Sequence, residues 1–166
     1  MTETRPFDPL AALEALNAAG VRYVVIGAFA GRLHGSPTVT RDLDICYARD
    51  RNDLEALAGV LQGIHARLRG VDREVPFRLD ARTLGAGDRF PFSTDLGDLD
   101  VLGTPTGTAG YADLIRTAVE MDLGGLRVQV AALDDIIRMK RAAGRPKDLI
   151  EIEVLGALRE ELAPYG

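Results

Sequence analysis

The segment from Val24 to Ile45 constrains this chain more than any other. An apolar run ends at Gly27, a thirteen-residue stretch runs from Phe29 to Arg41, and Asp42-Leu-Asp-Ile45 follows. Residues 21–26 are rich in β-branched and aromatic side chains and read as a buried strand that Gly27 ends. From Asp42 to Tyr47 charged and apolar residues alternate, the mark of a strand with two unlike faces. A period of two sets the Asp42 and Asp44 carboxylates on one face and turns Leu43 and Ile45 toward the core. Like charges that close repel, and a purely structural strand gains nothing from them. A divalent cation resolves the conflict, because Mg2+ prefers oxygen ligands and binds through one or two carboxylates plus substrate phosphates. Upstream, a short helix over residues 28–34 opens after Gly27, and its free backbone N–H groups suit an anionic phosphate tail. Asp-x-Asp alone has a plainer reading, two surface acids on an edge strand. The glycine turn, the spacing and the flanking Thr40-Arg41 argue against it.

The rest of the chain supplies the surroundings. Asp8-Pro9 opens a helix over residues 9–19 that Gly20 stops. Asp50 caps another running to Arg69, and residues 111–117 form a short one. Residues 77–79, 90–92 and 98–102 read as extended, and Val119–Leu123 and Leu126–Val130 form a hairpin about Gly124-Gly125. Two helices follow over residues 133–143 and 146–162, parted by Gly144 and Pro146. Strand–helix–strand openings followed by hairpins predict an α+β fold, one mixed sheet with flanking helices and a C-terminal helix pair. The length fits a single domain over residues 1–166.

Two further features carry chemistry. Gly97-Asp-Leu-Asp-Val-Leu102 repeats the acids at period two, so Asp98 and Asp100 share a face; turn chemistry around Asp95-Leu-Gly-Asp98 is the simpler alternative. Lysine occurs only at 140 and 147, whereas arginine supplies the other 18 of 20 basic residues. Restricting the compact ammonium to one short segment suggests a need for it there, although a helix C-terminus favours any cation.

Composition narrows the classes. The net charge of −5 argues against broad nucleic-acid binding. No apolar run approaches the ~20 residues that span a bilayer, and Met1 to Asp8 has no apolar stretch behind its charges, so no signal peptide is expected. One cysteine, Cys46, forms no internal disulfide and suits a reducing cytoplasm. His34 and His65 lack partners at ligand spacing, which makes zinc an unsuited metal.

The segment resembles the nucleotidyltransferase superfamily of the DNA polymerase β type, whose signature is an apolar residue, Gly-Gly or Gly-Ser, a loop, then Asp-x-Asp or Asp-x-Glu. Gly27-x-x-Ala30, His34-Gly35, Thr40-Arg-Asp-Leu-Asp44 and the tail Lys140-Arg-Ala-Ala-Gly-Arg-Pro-Lys-Asp148 are similar to minimal nucleotidyltransferases and AbiEii-type toxins of bacterial toxin–antitoxin systems. The resemblance spans roughly residues 24–155. It implies transfer of a nucleoside monophosphate from an NTP to an acceptor hydroxyl with Mg2+ or Mn2+, releasing pyrophosphate. It implies Asp42 and Asp44 as metal ligands and Asp100 as the third carboxylate, ligand or base, with Asp98 as runner-up. Gly27, Ala28, Thr40, Arg41, Lys140 and Lys147 would surround the triphosphate, and Asp148 would orient a lysine. AbiEii-like relatives imply a tRNA 3′ end as acceptor, contacted by the Arg138–Lys147 patch, and a cognate antitoxin or second subunit as partner. A small-molecule or protein hydroxyl is the other acceptor class. Ala28 departs from the pattern: a serine there would contact phosphate, whereas alanine offers only its backbone N–H. The departure keeps open a non-catalytic nucleotide-binding or antitoxin-like module of the same fold.

Overall fold

The computed structural model describes residues 6–71 and 76–163; the first five residues, on which the expectation of no leader partly rests, lie outside them. Helix α1 (Pro9–Ala18) begins where the Asp8 carboxylate accepts the Ala11 N–H at 3.1 Å, satisfying one donor that a helix start leaves unpaired. Strand β1 (Tyr23–Ile26) is buried along its whole length and passes directly into α2 (Gly27–Leu33). Then come β2 (Asp42–Tyr47), α3 (Arg51–Gly63), β3 (Arg67–Leu68), α4 (Ala81–Ala86), β4 (Arg89–Thr94), β5 (Gly97–Leu102) and α5 (Tyr111–Leu114). The hairpin β6 (Val119–Leu123) and β7 (Leu126–Val130) and the pair α6 (Leu133–Ala143) and α7 (Pro146–Leu162) complete the described chain.

Among the described residues the strands form one seven-stranded sheet in the order β3-β4-β5-β2-β1-β7-β6. β1 pairs with β7, and β2 with β5, in parallel; the other pairings are antiparallel. The architecture is the expected α+β mixed sheet with flanking helices. β1 is apolar at every position because it lies inside the sheet, between β2 and β7, where both faces are covered. β2 alternates at its start and is buried at its end: Leu43, Ile45 and Tyr47 lie with Leu57, Leu61 and Leu84 on one face, and on the other Cys46 is buried beyond the acids Asp42 and Asp44. The Tyr47 hydroxyl donates to the Leu84 carbonyl at 2.8 Å. No helix is long and apolar enough to cross a membrane among the described residues.

Three local expectations are corrected. α3 stops at Gly63 rather than Arg69, His65 takes a left-handed φ of 56°, and Arg67–Leu68 becomes an edge strand on β4. Asp50 stands at the helix start but makes no cap; its carboxylate pairs with Arg22, which also binds Asp53 at 2.7 Å. Residues 77–79 join no ladder; Phe77 instead packs its ring against Phe90 and Phe92, both at 6.1 Å. The unforeseen α4 begins at Asp80, whose carboxylate accepts the Thr83 N–H at 2.8 Å. The β6–β7 hairpin turns as expected, with Gly124 and Gly125 at φ of 68° and 94°, the positive values a tight two-residue turn needs.

Candidate active site

Parallel pairing of β2 with β5 brings two acidic stretches into register. Asp42 lies opposite Asp98 and Asp44 opposite Asp100, on strands that neighbour one another at ~4.8 Å. This places four carboxylates on one sheet face. Asp42 is exposed, Asp44 half-buried and Asp100 buried. Burial, then the charges of Asp100 and Asp42, push the Asp44 carboxyl up to about 7; Arg89 and Lys140 pull the other way. The sheet therefore holds a carboxylate whose ionised form is poorly paid for by its surroundings, as at many functional sites.

The carboxylates open onto a cleft of about 890 Å³ between the sheet and the C-terminal helices. Gly27, Ala28, Thr40, Arg41, Lys140, Lys147 and Asp148 all line it, along with Asp42, Asp44 and Asp100. These ten sequence-predicted residues thus reach one place, whereas Asp98, the runner-up to Asp100, is not among the residues that line it. Gly27 has a φ of 72°, and a Cβ built on it would stand 2.1 Å from Asp44 Oδ2. Only glycine lets the chain pass so close to that carboxylate. The α2 helix has no side-chain cap on its first turn. Thr40 Oγ1 accepts the Asp42 N–H at 3.2 Å and so fixes the entry to β2. His34 Nε2 lies 2.8 Å from the Ala131 carbonyl, tying the loop between α2 and β2 to the start of α6.

Two details differ from expectation. Asp148 orients no lysine: it is buried, accepts from Arg145 Nε at 2.7 Å and from the Arg145 backbone N–H at 3.2 Å, and its carboxyl lies below the usual range because Arg145 offsets its burial. It closes the first turn of α7, where the helix dipole favours an acid. Arg138, expected in a cationic patch, is tied to Asp113 at 3.2 Å and Asp135 at 3.1 Å.

Two site residues escaped sequence reading. Arg89 lines the cleft, and its charge reaches Asp44. Its signal was present: Thr94 pairs with Gly97 across a two-residue turn, and counting back places Pro91 opposite Asp100 and Arg89 opposite Leu102. Arg69 donates from Nη2 to Asp100 Oδ1 at 2.6 Å, and nothing in its local sequence points there. Cys46 packs in the core: it is fully buried, with Sγ 3.6 Å from the Gly103 carbonyl.

Asp42 and Asp44 fit a hard divalent cation by donor type and by placement on one face, and two carboxylates are the usual protein share of a Mg2+ site. Among the described residues, no group of three or more His, Cys, Asp or Glu side chains is gathered about one point. Asp100 gives one oxygen to Arg69.

Comparison by sequence with protein-family models and with curated proteins gives no match. Comparison by structure does. The lincosamide antibiotic adenylyltransferase LnuA, crystallised with lincomycin, superposes with a TM-score of 0.62 at 14% identity over 90% of this chain and 95% of its own. The antibiotic-resistance factor ANT(2'')-Ia gives 0.55 at 14% identity over 93% of this chain and 84% of its own. An antigenic nucleotidyltransferase-like protein from Paracoccidioides brasiliensis gives 0.54 at 16% identity over 95% and 77%. With the register of β2 on β5 and the sheet order, these likenesses establish that the chain has the nucleotidyltransferase fold.

Proposed function

We propose that this protein transfers a nucleoside monophosphate from an NTP to the hydroxyl of a small molecule. The observation that carries the reading is the register of Asp44 with Asp100 in a cleft that Lys140 and Lys147 also line. Asp42 and Asp44 would hold a divalent cation, Mg2+ or Mn2+, which supplies charge neutralisation at the phosphates. Gly27 and Ala28 offer backbone to the triphosphate tail, Thr40 and Arg41 flank it, and Lys140 and Lys147 provide cations from α6 and α7. Asp148, locked to Arg145, sets the first turn from which Lys147 projects. Among the described residues Asp100 Oδ1 is occupied by Arg69, and no hydrogen bond is made to Oδ2. Oδ2 is therefore the oxygen that takes the acceptor proton. The acceptor oxygen forms a bond to the α-phosphorus, the bond to the β-phosphate oxygen breaks, and pyrophosphate leaves. Most of the catalysis is positioning and charge stabilisation.

Two observations favour a small acceptor over a tRNA 3′ end of the AbiEii kind. The chain carries a net charge of −5, and Arg138 is already paired with two carboxylates, which leaves less cation for an RNA backbone. The fold's likeness to LnuA, an adenylyltransferase with lincomycin bound, lies in the same direction. The test uses each of the common NTPs, labelled at the α-phosphate, with Mg2+ or Mn2+ and three acceptor sets. These are lincomycin with other hydroxyl-bearing antibiotics, total tRNA, and neither. Label on a small molecule supports the proposal; label on tRNA 3′ ends replaces its acceptor. Metal-dependent NTP binding without product in any set would make Ala28 the sign of a non-catalytic module.

Lys140→Ala is expected to raise the KM for the NTP by about 10–100-fold, the weight of a hydrogen bond to a charged group, with a smaller change in kcat. Steady-state kinetics across NTP concentrations checks it.

A further inference from the structure

Arg69 follows a two-residue strand at the sheet edge, yet its guanidinium ends among the carboxylates. Its backbone N–H donates to the Pro91 carbonyl at 2.9 Å, its Nη1 to the Phe92 carbonyl at 2.6 Å and its Nη2 to Asp100 Oδ1 at 2.6 Å. Nε lies 3.9 Å from Asp98 Oδ2. Neighbouring carboxylates, Asp100 first, then Asp98 and Asp42, raise the Arg69 guanidinium above its ordinary range despite its burial. The side chain is 26% exposed and that of Asp100 12%. A staple for the sheet edge would need only the two carbonyl contacts on β4. The Nη2 bond does something more: a planar guanidinium anchored on Phe92 holds Asp100 Oδ1 in place by a charge-assisted hydrogen bond.

We propose that Arg69 is a positioning residue for Asp100. It reserves Oδ1, so that Oδ2 alone faces the cleft, and it restrains the third carboxylate from collapsing onto the cation held by Asp42 and Asp44. This rests on the metal-dependent reading above, deepening the role of one residue in it. Removing Arg69 then has two opposite consequences. A competing cation leaves the carboxylate face, so divalent metal binds more tightly. The proton acceptor loses its orientation, so turnover slows. A merely structural arginine would lower both.

The experiment titrates Mn2+ into the full-length protein, without nucleotide or acceptor, and follows free Mn2+ by electron paramagnetic resonance. Native protein, Asp44→Asn, Arg69→Gln and Arg69→Lys are compared, with thermal unfolding run on each. Kinetics of pyrophosphate release from ATP follow, with the acceptor identified by the hydroxyl screen. Arg69→Gln is expected to bind Mn2+ about tenfold more tightly and to lose about 10–100-fold in kcat, a part of the roughly 10²–10⁴-fold that a positioned proton acceptor contributes, with the KM for ATP unchanged. Arg69→Lys keeps the charge but cannot span Phe92 and Asp100 together. It is expected to bind Mn2+ as the native protein does while keeping the kcat loss, and it decides the matter if Arg69→Gln does not fold. Mn2+ affinity that falls or stays level in Arg69→Gln, or native kcat in Arg69→Lys, overturns the proposal. Equal Mn2+ binding by native protein and Asp44→Asn would instead overturn the metal reading itself, so the two failures are distinct.

Discussion

Asp44→Asn is expected to abolish nucleotidyl transfer and, at the same time, to make the metal-free protein more stable at pH 8. The activity loss follows from the loss of a ligand to the cation that offsets triphosphate charge. Such stabilisation is worth several kcal/mol, so the rate should fall by about 10³-fold or more. The stability gain follows from burial. The Asp44 carboxyl is pushed from 3.8 up to about 7 in the folded protein by desolvation and by Asp100 and Asp42. Below about pH 4 both folded and unfolded chains carry the proton and the group has no effect. As pH rises from there to about 7 the unfolded chain ionises first, and stability falls by on the order of 4 kcal/mol, staying at that level above. An amide cannot ionise and escapes the penalty. Urea unfolding between pH 5 and pH 8 should show native protein and Asp44→Asn drawing apart as pH rises. Addition of Mg2+ should close the gap by stabilising only the native chain. Parallel curves at every pH would refute the account of Asp44 as a carboxylate whose charge the fold penalises.

Gly27→Ala carries the second large effect. Its Cβ would stand 2.1 Å from Asp44 Oδ2 and 2.9 Å from Cγ, and the backbone there has a φ of 72°. Left-handed backbone costs a non-glycine residue about 1–3 kcal/mol, and overpacking adds about 1–3 kcal/mol. The sum, about 2–6 kcal/mol, is a large part of a domain's stability. Displacing the Asp44 carboxylate should remove transfer even in the fraction that folds. The two contributions separate in a double-mutant cycle with Asp44→Ala. Without the Asp44 carboxyl the 2.1 and 2.9 Å contacts go, and the backbone strain and a 3.0 Å approach to the Cβ of residue 44 remain, so Gly27→Ala should cost less there by about 1–3 kcal/mol. Equal cost in both backgrounds would place Gly27's importance in the turn alone.

Gly27 and Asp44 also show how a motif read as two parts is one. On the sequence the glycine looks like the end of a strand and the start of a helix, and the aspartate like half of a metal pair seventeen residues on. In the fold β1 and β2 pair antiparallel with Ile26 opposite Asp44, so the glycine next to Ile26 meets that carboxylate. Tight approach and metal platform are one constraint, and a substitution at either residue tests both.

What was legible in the linear chain was whatever local periodicity decides. Alternation along residues 42–47 and 97–102 set acids on one face of each strand. Asp8, Gly20, Gly144 and Pro146 marked helix ends by backbone chemistry, and Gly124-Gly125 marked the hairpin. Each of these depends on residues within a few positions of one another. The long spacing from Gly27 to Asp44 was legible only through its likeness to a known motif. Arg89 lay at the limit, within reach of anyone who extended the register of a two-residue turn. Arg69 lay beyond it. Its strand is two residues long, too short to leave a period, and residues 64–69 read as the tail of a helix. Its place over Asp100 arises only when β3 pairs with β4 and β4 with β5. The same holds for Arg138, whose local setting promised a free cation and which tertiary packing gave to Asp113. Asp148 is a local matter instead: its partner Arg145 stands three residues before it at the first turn of α7. Side-chain type and spacing thus determined which groups stand on which face. Which of them meet was decided by the order of strands, because charge pairing acts across a few ångströms of space whatever the distance along the chain.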